Sequence, residues 1–171
     1  MSVGSSKLIL VTGGAGFIGS NLVDALLAGN HQVRVVDNFV TGKKEFLSQH
    51  QSNSSLEIVD ADLSDVGFCK NVVNGCDAVF HLAANADVRH GWDHTLLDIQ
   101  QNTIVTQSLL EACRIAGVRK FVFSSTGSVY GDAKQIPTSE DCPFPVQTSL
   151  YAASKLAAEG LISAYAEAGF I

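Results

Sequence analysis

Basic residues are scarce in this sequence and never cluster. The 171 residues include 11 Lys and Arg against 17 Asp and Glu, a formal net charge of −6. Phosphate neutralisation along a nucleic acid needs grouped cations, so a nucleic-acid partner is not expected. Long hydrophobic runs are missing too. The apolar stretch "LILV" at 8–11 is soon broken by glycine. It is too short for a signal peptide, and no stretch is long enough to span a membrane. Cysteine is sparse, at positions 69, 76, 113 and 142, with no C-x-x-C pair and no Cys/His spacing of a zinc site. Four reduced thiols in a cytoplasmic protein without a metal are expected. Proline occurs three times, as Pro137, Pro143 and Pro145, all within 131–149. That segment reads as an irregular excursion, and excursions of this length are often functional.

What is present is apolar. Hydrophobic residues make up 46% of the chain and charged residues 16%. Such a balance suits one globular domain with a buried sheet, not a disordered chain. Apolar runs at 7–12, 32–37, 56–60, 78–82 and 119–125 read as strands buried on both faces. Helical patterns fall at about 17–29, 43–50, 64–74, 94–116 and 151–168. The β-α-β order predicts an α/β fold, a doubly wound parallel sheet.

"VTGGAGFIGSNL" follows the first strand and opens the first helix. Gly13, Gly16 and Gly19 sit where a backbone must turn tightly and let a pyrophosphate approach. Free N–H groups at the helix start would face those phosphates, with Phe17 and Ile18 between the glycines. A tight turn without a ligand is the plainer reading. Asp37, at the end of the second strand, weighs against it. An acid there accepts hydrogen bonds from ribose hydroxyls and repels a 2′-phosphate. NAD is therefore expected rather than NADP, although Lys43 and Lys44 lie nearby.

Tyr151 and Lys155 lie four apart on the last predicted helix, on one face. A free phenol is a poor base at neutral pH, and a neighbouring ammonium favours the phenolate. Tyr151 is thus a candidate general base and Lys155 a ribose-holding cation. "SSTGSVYG" at 124–131 follows the fifth strand, so Ser124 and Thr126 would project from the carboxyl end of the sheet. An exposed i,i+4 pair with no role is the plainer alternative.

Taken together, these motifs resemble the extended short-chain dehydrogenase/reductase family, in its NAD-dependent nucleotide-sugar epimerase/dehydratase branch. The resemblance runs from about Lys7 to Ile171 and implies a Rossmann domain over 1–171. It assigns "VVDNFVTGK" to the adenosine ribose, through Asp37, Asn38 and Gly42. "DADLSD" goes to the adenine side, through Asp62 and Leu63. "FHLAA" goes under the cofactor, through Leu82, Ala83 and Ala84. Ser124 joins the cofactor set, and Thr126, Tyr151 and Lys155 form the catalytic set. Asn102 is kept from the family's N-x-x-G-T, but Val105 replaces its glycine. Gly127 and Ser128 stand where dehydratases of the branch carry an Asp-Glu pair, which disfavours dehydration.

The resemblance further implies a UDP-sugar as substrate. Tyr151 would take a proton from a sugar hydroxyl, with Thr126 assisting, while NAD accepts and returns a hydride. Helices 94–116 and 151–168 would form a homodimer bundle. Family chains are nearly twice as long, so the last strands and the substrate lobe are expected to be lacking here. A non-catalytic NAD-binding module, another nucleotide-sugar modifying enzyme of the same branch (decarboxylase, dehydratase or reductase) and a reductase of a non-sugar ketone stay open as other readings. His81 reads as a satisfied core residue. His90 and His94, with Trp92 and Asp93, read as a loop near the substrate pocket. Asp87 is a candidate substrate contact, with a plain surface role as its alternative. Glu111 and Glu159 read as helix-surface or helix–helix contacts.

Overall fold

Runs of Val, Ile, Leu and Phe pair as five parallel strands. They are β1 (Leu8–Thr12), β2 (Gln32–Asp37), β3 (Leu56–Asp60), β4 (Ala78–His81) and β5 (Phe121–Phe123). The order across the sheet is β3-β2-β1-β4-β5. Register is set by pairs such as Val11 with Val35 and Thr12 with His81. The computed structural model describes residues 6–89, 91–142 and 146–171. Pro143 and Pro145 lie outside them, as does His90.

Side chains alternate across the strands, so the inner strands β2, β1 and β4 feed two cores, whereas the edge strands β3 and β5, expected to be buried on both faces, expose Ile58 and Val122. Leu10, Val36 and Val79 face one way. They pack with Val72, Leu109 and Cys113 from α2 (Val66–Val72) and α3 (Val105–Ala116). Ile9, Val11, Val33 and Val35 face the other way, against Val23 of α1 (Phe17–Ala28) and Leu47. Each of these apolar side chains is at least nine-tenths buried. Burying one contributes about 1.5–3 kcal/mol, which is why continuous apolar runs specify a two-sided sheet. The fold is thus α/β and doubly wound, with a last helix α4 (Leu150–Glu167) beside α3. Ser149 caps α4 by accepting from Ala152 N at 3.1 Å. No helix of the described residues is long and apolar enough to cross a membrane.

Three elements differ from the sequence reading. The helix expected at 43–50 is a 3₁₀ turn, Lys44–His50. The helix expected at 94–116 starts with a wider π-helical stretch, Ile99–Ile104, before α3. Asn102 lies within that stretch, and its carbonyl accepts from the Thr106 hydroxyl at 2.5 Å. The strand expected at 119–125 is confined to β5, although Ser124 N still donates to His81 O at 3.2 Å. β5 is an edge strand, and its Val122 is 46% exposed.

The chain turns back at β1. β2 and β3 lie on one side of it, β4 and β5 on the other. This reversal opens a crevice at the carboxyl ends of β1 and β4, where sheets of this kind take ligands.

Candidate functional site

Glycine geometry shapes the crevice. Gly13 adopts φ +67°, and a Cβ there would meet Ala83 N at 2.8 Å. A Cβ on Gly19 would collide with Gly13 O. Only glycine lets this loop fold back on itself and touch the end of β4. Gly16 is the N-cap of α1 and offers no side-chain cap. Among the described residues nothing accepts from the first-turn amides of Phe17 and Ile18. Their side chains are 78% and 65% exposed, beside these open donors.

Asp37 closes the second side. Its Oδ2 accepts from Ala15 N and its Oδ1 from Phe39 N, each at 2.9 Å. Its carboxylate therefore ties β2 to the glycine loop and keeps further lone pairs for a ligand. Gly42 folds over it, where a Cβ would come within 2.7 Å of Asp37 Oδ1. Lys44 does not turn to this carboxylate. It pairs with Asp60 at 3.0 Å and lies 4.6 Å from the Phe39 ring centre. Asn38 Nδ2 donates to Asp62 Oδ2 at 3.1 Å. The Ser64 N–H, the main cause, and Asn38 hold the Asp62 carboxyl below its ordinary range.

The floor comes from the end of β4. Thr12 Oγ1 accepts from Leu82 N and Ala83 N, both at 3.2 Å. It lies 2.7 Å from His81 Nδ1, and His81 Nε2 lies 3.0 Å from Thr106 Oγ1. Burial, helped by the Lys155 charge, pushes the His81 pKa down to about 3. His81 is thus a satisfied core residue. Asn102 Oδ1 accepts from Asn85 N at 2.8 Å, and its Nδ2 donates to Asn85 O and to Ser154 Oγ. Ser154 Oγ in turn donates to Tyr151 O at 2.7 Å. Asn102 is fully buried and grips the cleft wall from behind.

Lys155 is 1% exposed and donates to Ser124 O at 2.9 Å, with Nζ 4.4 Å from the Phe123 ring centre. Burial lowers its pKa to about 8. The ammonium thus sits directly under the end of β5. Tyr151 is half-buried in the first turn of α4. Thr126 caps the Gly127–Tyr130 turn, which packs against α4. Its Oγ1 accepts from Ser128 N at 3.1 Å and donates to Ser128 Oγ at 3.2 Å.

These pieces enclose a cleft of about 530 Å³. Gly13, Gly16, Phe17, Ile18, Gly19, Asp37, Asn38, Gly42, Leu63, Leu82, Ala83, Ala84 and Ser124 line it. Asp62, Asn102, Tyr151, Lys155 and Thr126 are not in its lining. Asp62 and Asn102 act through Asn38 and Asn85, and Lys155 through Ser124. Asp87 is also outside and bonds Arg89. Sequence reasoning passed over Val40, Thr41, Asn85, Ala86, Leu97 and Gln101, which line the cleft as well. Asn85 follows "HLAA" directly, and a polar residue at a buried strand's end was a usable signal. A second cavity, about 740 Å³, lies under the 131–149 excursion and touches none of the predicted site residues. Among the described residues no group of three His, Cys, Asp or Glu could hold a metal. Glu111 bonds Arg114 and Tyr165 across α3 and α4, and Glu159 bonds Ser125.

Known proteins resemble this chain in sequence and fold. The chain is 42% identical over 158 residues to UDP-glucose 4-epimerase of Mycolicibacterium smegmatis, covering 91% of this chain and 50% of that one. The UDP-Glc/GlcNAc 4-epimerase of Campylobacter jejuni superposes with a TM-score of 0.90 at 32% identity, covering 95% and 50%. The UDP-glucose 4-epimerase of Thermus thermophilus, solved in complex with NAD, superposes with a TM-score of 0.84 at 38% identity, covering 94% and 51%. The chain spans about half the length of the relatives it matches. Its parallel sheet, glycine loop and cleft come with a match to the family over residues 9–171, and the chain belongs to the NAD dependent epimerase/dehydratase family.

Proposed function

We propose that this chain forms the NAD-holding part of a nucleotide-sugar epimerase similar to UDP-glucose 4-epimerase. The observation that carries the reading is the cleft itself. It joins a glycine cradle and open helix-start amides at one end to Ser124, with Lys155 beneath, at the other. The residues fit the cofactor. A pyrophosphate needs the close approach that Gly13 and Gly19 provide. An adenosine ribose needs an acceptor such as Asp37, whose carboxylate is already oriented by Ala15 and Phe39. When bound, NAD supplies hydride removal and return at a sugar carbon.

The chain's own residues then handle protons and position. Tyr151 Oη takes the proton of the sugar hydroxyl and later gives it back. Lys155, buried one helical turn away, holds the nicotinamide ribose. With substrate present, Thr126 Oγ1 turns its proton from Ser128 Oγ to the sugar oxygen and positions it. Gly127 and Ser128 offer no acid for the elimination of water, which favours epimerisation over dehydration. A homodimer through the helical segments 94–116 and 151–168 belongs to the same reading, and Ile104 and Ile115 in the first of them are exposed at 48% and 57%.

Calorimetric titration with NAD and with NADP tests the cofactor assignment. Saturable NAD binding with weaker NADP binding is expected. Equal affinities, or no binding of either, would sink it.

A further inference from the structure

One cleft residue is held more tightly than a wall requires. Asn85 has both backbone groups bonded to the Asn102 side chain, at 2.8 and 3.2 Å. Its side-chain Nδ2 donates to Asp98 Oδ1 at 2.9 Å. Asp98 is 1% exposed and lies at the start of the π-helical stretch. Its second oxygen, Oδ2, is buried and has no hydrogen-bond partner among the described residues. That oxygen faces Gly91, where a Cβ would come within 3.0 Å.

An unmet oxygen on a buried carboxylate is costly. An asparagine at 98 could accept the same bond from Asn85 without burying a charge. It could equally turn its own NH₂ toward Asn85. A carboxylate cannot, because both of its oxygens only accept. Asp98 therefore fixes the Asn85 amide one way round, NH₂ toward Asp98 and carbonyl Oδ1 away from it. Asn85 lines the cleft, and its Oδ1 has no partner among the described residues. The result is an acceptor of fixed sense on a residue that lines the cleft together with Ala83, Ala84 and Ser124, across the sheet from Asp37 on β2.

We propose that Asn85 Oδ1 accepts a hydrogen bond from the carboxamide N–H of bound nicotinamide, and that Asp98 is its positioning residue. The inference rests on the NAD-binding reading above. At this end of the cleft NAD has two kinds of donor, ribose hydroxyls and the carboxamide. The ribose is assigned to Lys155, which leaves the carboxamide. Holding the carboxamide fixes which face of the ring meets the substrate.

The test compares NAD with ADP-ribose, which keeps both riboses and the pyrophosphate but lacks nicotinamide. Wild type, Asn85→Ala, Asp98→Asn and the double variant are titrated calorimetrically, with circular dichroism to check folding. Asn85→Ala should weaken NAD roughly three- to tenfold, the scale of one hydrogen bond, and leave ADP-ribose unchanged. Asp98→Asn should cause a smaller loss of the same kind and add nothing in the Asn85→Ala background. Equal losses for NAD and ADP-ribose would overturn the carboxamide assignment, as would no loss for NAD. Losses by Asp98→Asn that persist in the double variant would overturn the positioning role. Failure of wild type to bind NAD at all would instead remove the reading on which the inference rests, and the inference with it.

Discussion

Thr12 Oγ1 lies 2.7 Å from His81 Nδ1, and the direction of that bond is fixed. The hydroxyl already accepts from Leu82 N and Ala83 N, so it donates to the imidazole. Nδ1 is then an acceptor, and Nε2 donates to Thr106 Oγ1, which donates onward to Asn102 O. This sequence of bonds works only with a neutral His81.

Acid should therefore destabilise the fold through His81. Its folded pKa, about 3, lies below the ordinary histidine value of 6.5. Between the two values the unfolded chain binds the extra proton, so stability rises with pH there and falls as pH drops. The slope contributed is at most about 1.4 kcal/mol per pH unit. Urea unfolding between about pH 4 and pH 7 should show this dependence, and His81→Gln should flatten it. An unchanged slope in the variant would place the acid sensitivity elsewhere.

Gly19→Ala should damage both fold and cleft. Its Cβ would collide with Gly13 O, a backbone atom that has no room to retreat. Overpacking of this kind costs on the order of 1–3 kcal/mol or more. Thermal melting should show a clear loss, accompanied by loss of NAD binding. A variant with wild-type melting and affinity would contradict the described loop.

Asp37→Asn should separate the two dinucleotides. The amide oxygen can keep one backbone bond, while the charge that repels a 2′-phosphate is gone. NAD affinity should fall roughly tenfold, on the scale of a charge-assisted hydrogen bond. NADP affinity should fall less or rise. Parallel changes for both dinucleotides would count against Asp37 as the discriminating group.

Thiol labelling should sort the cysteines. Cys69, Cys76 and Cys113 are buried, and burial raises each thiol pKa, to about 11 for Cys69 and about 12 for Cys113. Cys142 is half-buried. A colourimetric disulfide reagent should react rapidly with Cys142 alone in the native protein and with the other three only in denaturant. Fast native labelling of Cys113 would mean that the core between α2 and α3 opens readily.

The inner strands were legible because burial on both faces leaves a nearly continuous apolar run, as "LILV" and, broken only by Arg34, "VRVV" do. The glycine spacing was legible because its steric requirement is local: Gly13 and Gly19 must approach backbone. The π-helical winding at Ile99–Ile104 was not legible. Asn102 and Ser154 lie 52 residues apart, and nothing in the spacing of either announces their bond. The sense of the Asn85 amide was hidden for the same reason, since it depends on Asp98 thirteen residues away. Lys155 lies on α4, and only three dimensions show that it is buried beneath the Ser124 carbonyl.

Arg34 has a consequence for how the sheet comes apart. One guanidinium bonds Glu57 on β3 and the carbonyls of Val72 and Asn74 at the end of α2. It projects from β2, so a single side chain fastens two strands and the helix that crosses to the far half of the sheet. β1, β2, β3 and α2 should then lose protection from hydrogen–deuterium exchange as one cooperative unit. β5, an edge strand with Val122 facing solvent, should exchange ahead of them.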